Sequence, residues 1–274
     1  DDNELVLLSP LGYSPTGEIF NLTLEDVAAA TAIALDADKL VFLMEASGVN
    51  NAQGDLLREL TTVEAEVLLA GVTPLSEDVG YFLPAAVRAC RHGVARVHLV
   101  SRHADGALLQ ELFTREGIGS MVTEDALETL REATIDDVGG ILALIEPLEA
   151  DGILVWRSRE LLEMEIERFT VLEYDGAIIG CAALYPFPEE SMAELACFAI
   201  RPDYRNAGRG EVLLEYMQDR ALKNDYRRLF VLTTRTAHWF VERGFAEAGV
   251  ENLPQAKQGL YNLQRRSKVF IKTL

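Results

Sequence analysis

The chain has 274 residues, 49% of them hydrophobic and 25% charged, enough for two ordinary domains or one large α/β domain. A formal net charge of −19 argues against nucleic acid as a partner, because neutralising phosphates takes a basic face. Charged residues break every apolar run short of membrane-spanning length and no charged start precedes an apolar run, so neither a membrane span nor a signal peptide is expected. Cys90, Cys181 and Cys197 show no paired-cysteine spacing and read as reduced thiols, two of them inside apolar runs, which implies a cytoplasmic protein. The histidines lack zinc-ligand spacing, and no metal is expected. The first residues, Asp1-Asp2, suggest that an N-terminal part of the natural protein lies outside this sequence.

In chain order, Leu5 to Leu8 reads as a short strand closed by Ser9-Pro10-Leu11-Gly12. A helix capped by Thr23, with Glu25 and Asp26 in its first turn, runs to Leu35. Lys39 to Met44 is a buried-strand run, followed by the turn signals Ser47-Gly48 and Asn50-Asn51. Helices are expected over Thr62 to Ala70, Phe82 to His92 and Gly106 to Arg115, and a strand over Val94 to Ser101. Alternating strands and helices imply a mainly parallel sheet in an α/β domain over residues 1–123. Polar residues 124–130 are assigned to a linker, and residues 131–274 to a second domain of α+β type. There, Asp136 to Glu149 and Ser158 to Phe169 read as helices. Thr170 to Tyr174, Ala177 to Tyr185 and Ala193 to Ile200 read as successive strands, the first two joined by the hairpin turn Asp175-Gly176. A long helix from Gly210 to Asn224, a strand from Arg228 to Thr233, a short helix around His238 and strand material near Val269 complete the reading.

One segment carries chemistry. A strand ends at Ile200, Pro202 breaks the chain, and Arg205-Asn206-Ala207-Gly208-Arg209-Gly210 leads into the long helix. Main-chain N–H groups at such a helix start converge on one spot with the positive end of the dipole. Gly208 and Gly210 let the backbone approach a pyrophosphate, and Arg205 and Arg209 add positive charge. Taken alone, the segment also fits an ordinary glycine-containing turn between strand and helix.

Its context decides the reading. Leu130-Arg131-Glu132-Ala133, the three-strand meander, the Arg205 to Gly210 loop and Arg243-Gly244-Phe245 together resemble the GNAT family of acetyltransferases. The resemblance implies acetyl-CoA as co-substrate, held by the loop. It also implies a splayed strand whose backbone at Cys197, Phe198 and Ile200 binds the pantetheine arm. One departure is plain: where many members place a tyrosine acid, four residues before Gly244, this chain has Phe240. His238, beside Trp239 on a short helix, reads as a packing or surface residue rather than a base.

Ser9 to Glu18, Leu229 to Phe240 and Tyr261 to Lys268 resemble the bacterial N-acetylglutamate synthases more narrowly, over nearly the whole chain. That likeness implies transfer of acetyl to the α-amino group of L-glutamate by direct attack, in arginine biosynthesis. Two carboxylates on the acceptor call for cationic partners, preferably arginine. Matching positions are Arg157, Lys257, Arg266 and Lys268, with main chain near Val155. Any one of these read alone is an ordinary solvated charge. The family places a base at Glu194, just upstream of the loop, and a hydroxyl near the sulfur at Thr233, assigned here as proton donor to the thiolate.

Residues 1–123 resemble the C-terminal part of the amino-acid kinase fold. Val79 to Pro84 lacks the lysine such kinases set against the transferred phosphate, so no kinase activity is expected. In arginine-sensitive relatives the effector sits beside a strand histidine, a helix glutamate and a glycine turn, which here are His98, Glu111 and Gly117. The bland alternative is a core-edge histidine with a surface carboxylate. The family's assemblies through its kinase-like domains imply a homo-oligomer. Two other readings stay open: an acetyltransferase with another amino-acid or protein N-terminal acceptor, and an inactive arginine-binding regulator.

Overall fold

The computed structural model describes residues 5–71, 75–114, 117–205, 208–259 and 267–274. They divide into two compact units, residues 1–126 and 127–274.

The first unit opens with a two-stranded hairpin, β1 (Leu11–Tyr13) and β2 (Ile19–Asn21). Leu5 to Leu8, expected as a strand, is not one: the run is exposed and no described strand lies beside it to complete a ladder. After α1 (Leu24–Ala34) come β3 (Lys39–Met44), β4 (Glu59–Thr61), α2 (Thr62–Ala70) and α3 (Glu77–Arg91). The unit ends with β5 (Arg96–Ser101), α4 (Ala107–Phe113) and β6 (Ser120–Thr123). The sheet order is β3-β5-β6-β4, parallel except between β5 and β6, so the expected mainly parallel sheet is present. Val79 to Pro84 lies within α3. The helix begins earlier than the periodicity suggested because Glu77 and Asp78 suit a helix N-terminus, and Asp78 accepts from the N–H groups of Glu45 and Ala46.

The second unit begins where the linker was expected. Glu128–Glu132 is a strand, β7, paired antiparallel with β8 (Phe169–Tyr174). Its polar composition misleads because it is an edge strand: Arg131 is held by Asp137 at 2.7 Å and by Glu173 at 2.6 Å. Between them lie α5 (Val138–Ala150) and α6 (Arg159–Met164). The helix expected to reach Phe169 gives way to a 3-10 turn at Ile166–Arg168. Then follow β9 (Ala177–Phe187), β10 (Met192–Ile200), α7 (Arg209–Lys223), β11 (Arg228–Thr233), α8 (Ala237–Val241), β12 (Ala246–Ala248), α9 (Gln255–Gln258) and β13 (Lys268–Thr273). The seven-stranded order is β12-β13-β11-β10-β9-β8-β7. Asp175 and Gly176 both have positive φ, 52° and 75°, as a two-residue hairpin of right-handed twist requires.

Both faces of this sheet are covered. Leu213, Leu214 and Met217 of α7 pack on Leu172, Ile179, Leu184, Ala193 and Leu195. Ile141, Leu144 and Ile145 of α5 pack on Phe169, Val171, Cys181, Cys197 and Ala199. Each buried leucine or isoleucine stabilises by about 1.5–3 kcal/mol. Ala193 and Leu195 face α7, whereas Cys197 and Ala199, two and four positions on, face α5. Strict alternation forbids that. A β-bulge between Ala196 and Ala199, with Cys197 at φ 50°, supplies the extra residue that turns the strand over.

Candidate active site

The bulge sits where the sheet opens. β10 pairs with β11 only over Met192–Glu194, and β11 then continues along β13 to Thr233. Beyond Glu194 the side of β10 toward β11 carries no ladder partner, so the stretch through Cys197, Phe198 and Ile200 can bond an extended ligand. This is the splay expected from the resemblance.

At the far end of the open strand is the loop. Gly208, at φ 73°, is the N-cap of α7, and an added Cβ there would meet nothing within 4 Å. Gly210 is different: a Cβ would lie 3.2 Å from the Trp239 ring. Trp239 is itself held by Phe198 at 5.3 Å, Phe240 at 5.0 Å and the Arg243 guanidinium at 4.0 Å from its centroid. Phe240, the residue in the usual tyrosine position, is buried in this aromatic cluster and carries no proton to give. The Arg205 Nε donates to the Ile200 carbonyl at 3.1 Å, folding the loop back on its strand. Arg209 reaches Glu128 at 2.6 Å between the Tyr174 and Tyr204 rings, tying the loop to β7. Arg201 and Arg205 line a cavity of about 710 Å³ beside α5. Asn206 and Ala207 lie outside the described residues. Gly210→Val is expected to push Trp239 aside and raise the KM for acetyl-CoA about tenfold, the scale of 1–3 kcal/mol for overpacking, with the acceptor KM unchanged in initial-rate assays.

The second cluster lies on the α5 side of the bulge. Glu194 is only 7% exposed, and its carboxylate pairs with the Lys257 ammonium of α9 at 2.6 Å. Across the strand ladder its partner is Tyr185 of β9, whose hydroxyl donates to Glu165 at 2.7 Å. Arg157, on the segment between α5 and α6, donates to the Val155 carbonyl at 2.9 Å, and Tyr185 and Glu194 lie near enough to favour its charged form. Its main-chain N–H is held by Glu149 at 3.0 Å. Burial pushes the Cys197 thiol up to about 11 despite Arg157, so it is a protonated wall residue rather than a nucleophile.

The structure therefore brings Glu194, Lys257, Arg157, Cys197 and the Val155 carbonyl together, and adds Tyr185, Glu165 and Glu149, which sequence reading missed. No short motif marks those three; their signal is tertiary. Thr233 ends β11, with its hydroxyl 2.8 Å from that of Thr236 and accepting from the Thr236 N–H at 3.1 Å. Lys268, its cross-strand neighbour, is directed to Glu247 at 3.0 Å. Arg266 lies outside the described residues.

In the first unit, His98 of β5, Glu111 of α4 and Gly117 converge as expected. His98 Nδ1 and Glu111 Oε1 are 2.7 Å apart, and Glu111 Oε2 accepts from Ile118 and Gly119 at 2.8 and 2.9 Å. The pair is buried, against the reading of a surface carboxylate. Gly117, at φ 57°, must be glycine, since a Cβ would lie 2.6 Å from Glu111 Oε2. Both oxygens are engaged within the unit, so the first task of Glu111 is to fold the turn, and no bidentate partner is needed for its burial. Burial raises the Glu111 carboxyl, but His98 and the two N–H groups outweigh it and hold it at about 2 instead of 4.5. A lowered folded-state value means stabilisation present above pH 4.5 and lost as the pH falls toward 2. Unfolding of wild type and Glu111→Gln in denaturant should differ by on the order of 3 kcal/mol at pH 6, narrowing steadily below pH 4.5.

Among the described residues no helix is long and apolar enough to cross a membrane, and no group of three or more histidine, cysteine or acidic side chains is arranged to hold a metal. Residues 141–245 match the acetyltransferase (GNAT) family, and residues 1–101 match the amino acid kinase family. The two units thus have an amino acid kinase-like fold and a GNAT fold. It is 57% identical over its full length to an amino-acid acetyltransferase of Azotobacter vinelandii and 56% identical to one of Pseudomonas putida, spanning 63% of each relative's length. Among solved structures it resembles an N-acetylglutamate synthase from Neisseria gonorrhoeae complexed with coenzyme A and L-arginine. The TM-score is 0.81 at 40% identity, over 97% of this chain and 61% of that one. A second structure of the Neisseria gonorrhoeae enzyme, complexed with coenzyme A and N-acetyl-glutamate, matches with a TM-score of 0.53 at 41% identity, over 97% of this chain and 62% of that one.

Proposed function

We propose that the chain carries the catalytic domain of an N-acetylglutamate synthase, transferring acetyl from acetyl-CoA to the α-amino group of L-glutamate. The observation that carries this reading is the pairing of buried Glu194 with half-buried Lys257 at 2.6 Å, with Arg157 nearby, beside the open bulge of β10. A base and cations for two carboxylates meet at one point. The N-acetyl-glutamate bound in a structure of the similar synthase supports that choice of acceptor.

Glu194 takes the proton from the α-ammonium, directly or through one water, as the nitrogen attacks the thioester carbon. The carbon–sulfur bond then breaks, the nitrogen gives its second proton to solvent, and the Thr233 hydroxyl, reprotonated from solvent through the exposed Thr236, protonates the departing thiolate. Arg157, Lys257 and the Val155 main chain hold the acceptor, and Arg266 and Lys268 are the further cations assigned to it. The loop from Arg205 through Asn206, Ala207 and Gly208 to Arg209 and Gly210 holds the pyrophosphate. Main chain at Cys197, Phe198 and Ile200 holds the pantetheine arm. Arginine acts as effector at His98, Glu111 and Gly117, in a homo-oligomeric cytoplasmic protein.

Thiol release from acetyl-CoA, measured with each common amino acid in turn, tests the reading. Turnover with glutamate is expected; turnover only with other acceptors would assign the site a different substrate. No release with any amino acid leaves an arginine-binding regulator.

A further inference from the structure

The first turn of α7 carries an acid. Counting from the N-cap Gly208, Arg209 and Gly210 are the first two helical residues and Glu211 is the third. A glutamate at that position can fold back and accept from the N-cap N–H, closing a capping box. Two other helix starts in this chain do so with an acid. Glu64 accepts from the Thr61 N–H at 2.8 Å, and Asp137 from the Thr134 N–H at 2.7 Å. At α7 the same closure would lay a carboxylate on the amide groups that a pyrophosphate needs, and its charge would repel that ligand.

Glu211 is turned to another partner. Its carboxylate accepts from Arg243 Nη2, 32 residues on, in the turn after α8. Arg243 is fixed independently of that pair. Its Nη1 donates to the Trp239 carbonyl at 3.0 Å, and its guanidinium lies 4.0 Å from the centroid of the Trp239 ring. The loop's own arginines are engaged elsewhere: Arg209 is held by Glu128 at 2.6 Å, and Arg205 Nε by the Ile200 carbonyl at 3.1 Å. The Glu211 side chain is over half exposed, so its pair with Arg243 contributes little to stability. What the pair changes is the charge beside the helix start.

We propose that Arg243 is a positioning residue for the pyrophosphate of acetyl-CoA. By drawing Glu211 aside and neutralising it, Arg243 keeps the N–H groups at the start of α7 open to the phosphates. This rests on the Arg205 to Gly210 loop binding the pyrophosphate, as argued above. The test is steady-state kinetics of the whole chain with Arg243→Gln, which removes the charge. The KM for acetyl-CoA is expected to rise about tenfold, the upper scale for a charge at a helix terminus, with kcat and the acceptor KM within about twofold. Adding Glu211→Gln should return that KM to within about twofold of wild type, because the acid that needed neutralising is gone. S-acetylpantetheine, which lacks the pyrophosphate, should be used equally well by wild type and Arg243→Gln.

An unchanged KM for acetyl-CoA in Arg243→Gln overturns the proposal. So does a double variant as impaired as the single one, the pattern of an arginine that only packs on Trp239. Should Arg243→Gln fail to fold, Arg243→Lys keeps a cation and gives up the planar stack. Its KM for acetyl-CoA should stay near that of wild type, and a rise of about tenfold would overturn the proposal. A wild type that uses S-acetylpantetheine as efficiently as acetyl-CoA sinks the loop assignment, and the role of Arg243 with it. If no acceptor turns over, the Kd for coenzyme A measured by calorimetry gives the same comparison without chemistry.

Discussion

Glu194→Gln is expected to lower kcat about a thousandfold, within the range of 10²–10⁴ for loss of a positioned general base, while the KM for acetyl-CoA stays within about twofold. Glutamine matches glutamate in size, so the strand and its bulge keep their packing. What it removes is the acceptor for a proton and the partner of Lys257. The attacking amine must shed that proton to become neutral, and Glu194 is the carboxylate at which the β10–β11 ladder ends. Rapid-quench measurement of a single turnover separates this loss from slower product release. A variant that instead weakened acetyl-CoA binding with kcat intact would assign Glu194 to the cofactor side and leave the base unidentified.

The second large effect is at Arg157. Arg157→Leu should raise the acceptor KM about a hundredfold, the lower part of the 2–5 kcal/mol range for truncating one member of a desolvated charge pair, with acetyl-CoA binding unaffected. Leucine fills space without offering donors. Lys257, already committed to Glu194, then stands as the remaining nearby cation. Inhibition by a dicarboxylate without an amino group provides an independent reading, since its inhibition constant should move with the acceptor KM. An acceptor KM that fails to move would place the carboxylate elsewhere.

Much of this molecule is legible along the chain. Thr62–Ala70, Lys39–Met44, Arg228–Thr233 and the long α7 follow from apolar periodicity, because burying one face of a helix or strand is a local constraint. Asp175-Gly176 specifies its hairpin through two residues that tolerate positive φ. The loop before α7 is legible for the same kind of reason: glycine removes a Cβ where a backbone must be approached. The errors fell where pairing matters more than composition. Leu5 to Leu8 is apolar but has no described neighbouring strand, and Glu128–Glu132 is polar yet paired along its length with β8.

What only the tertiary structure decided is the charged cluster around Glu194. Alternation along β10 would put Glu194 and Cys197 on opposite faces of the sheet, and the extra residue in the bulge places both on the α5 side. Lys257 meets Glu194 from 63 residues further along the chain, through a side-chain contact that no local spacing encodes. A phosphate cradle is built from consecutive backbone groups and so is written in consecutive residues. A pocket for two carboxylates and one amine is built from charges borne by separate elements, and folding alone brings them within reach of one another.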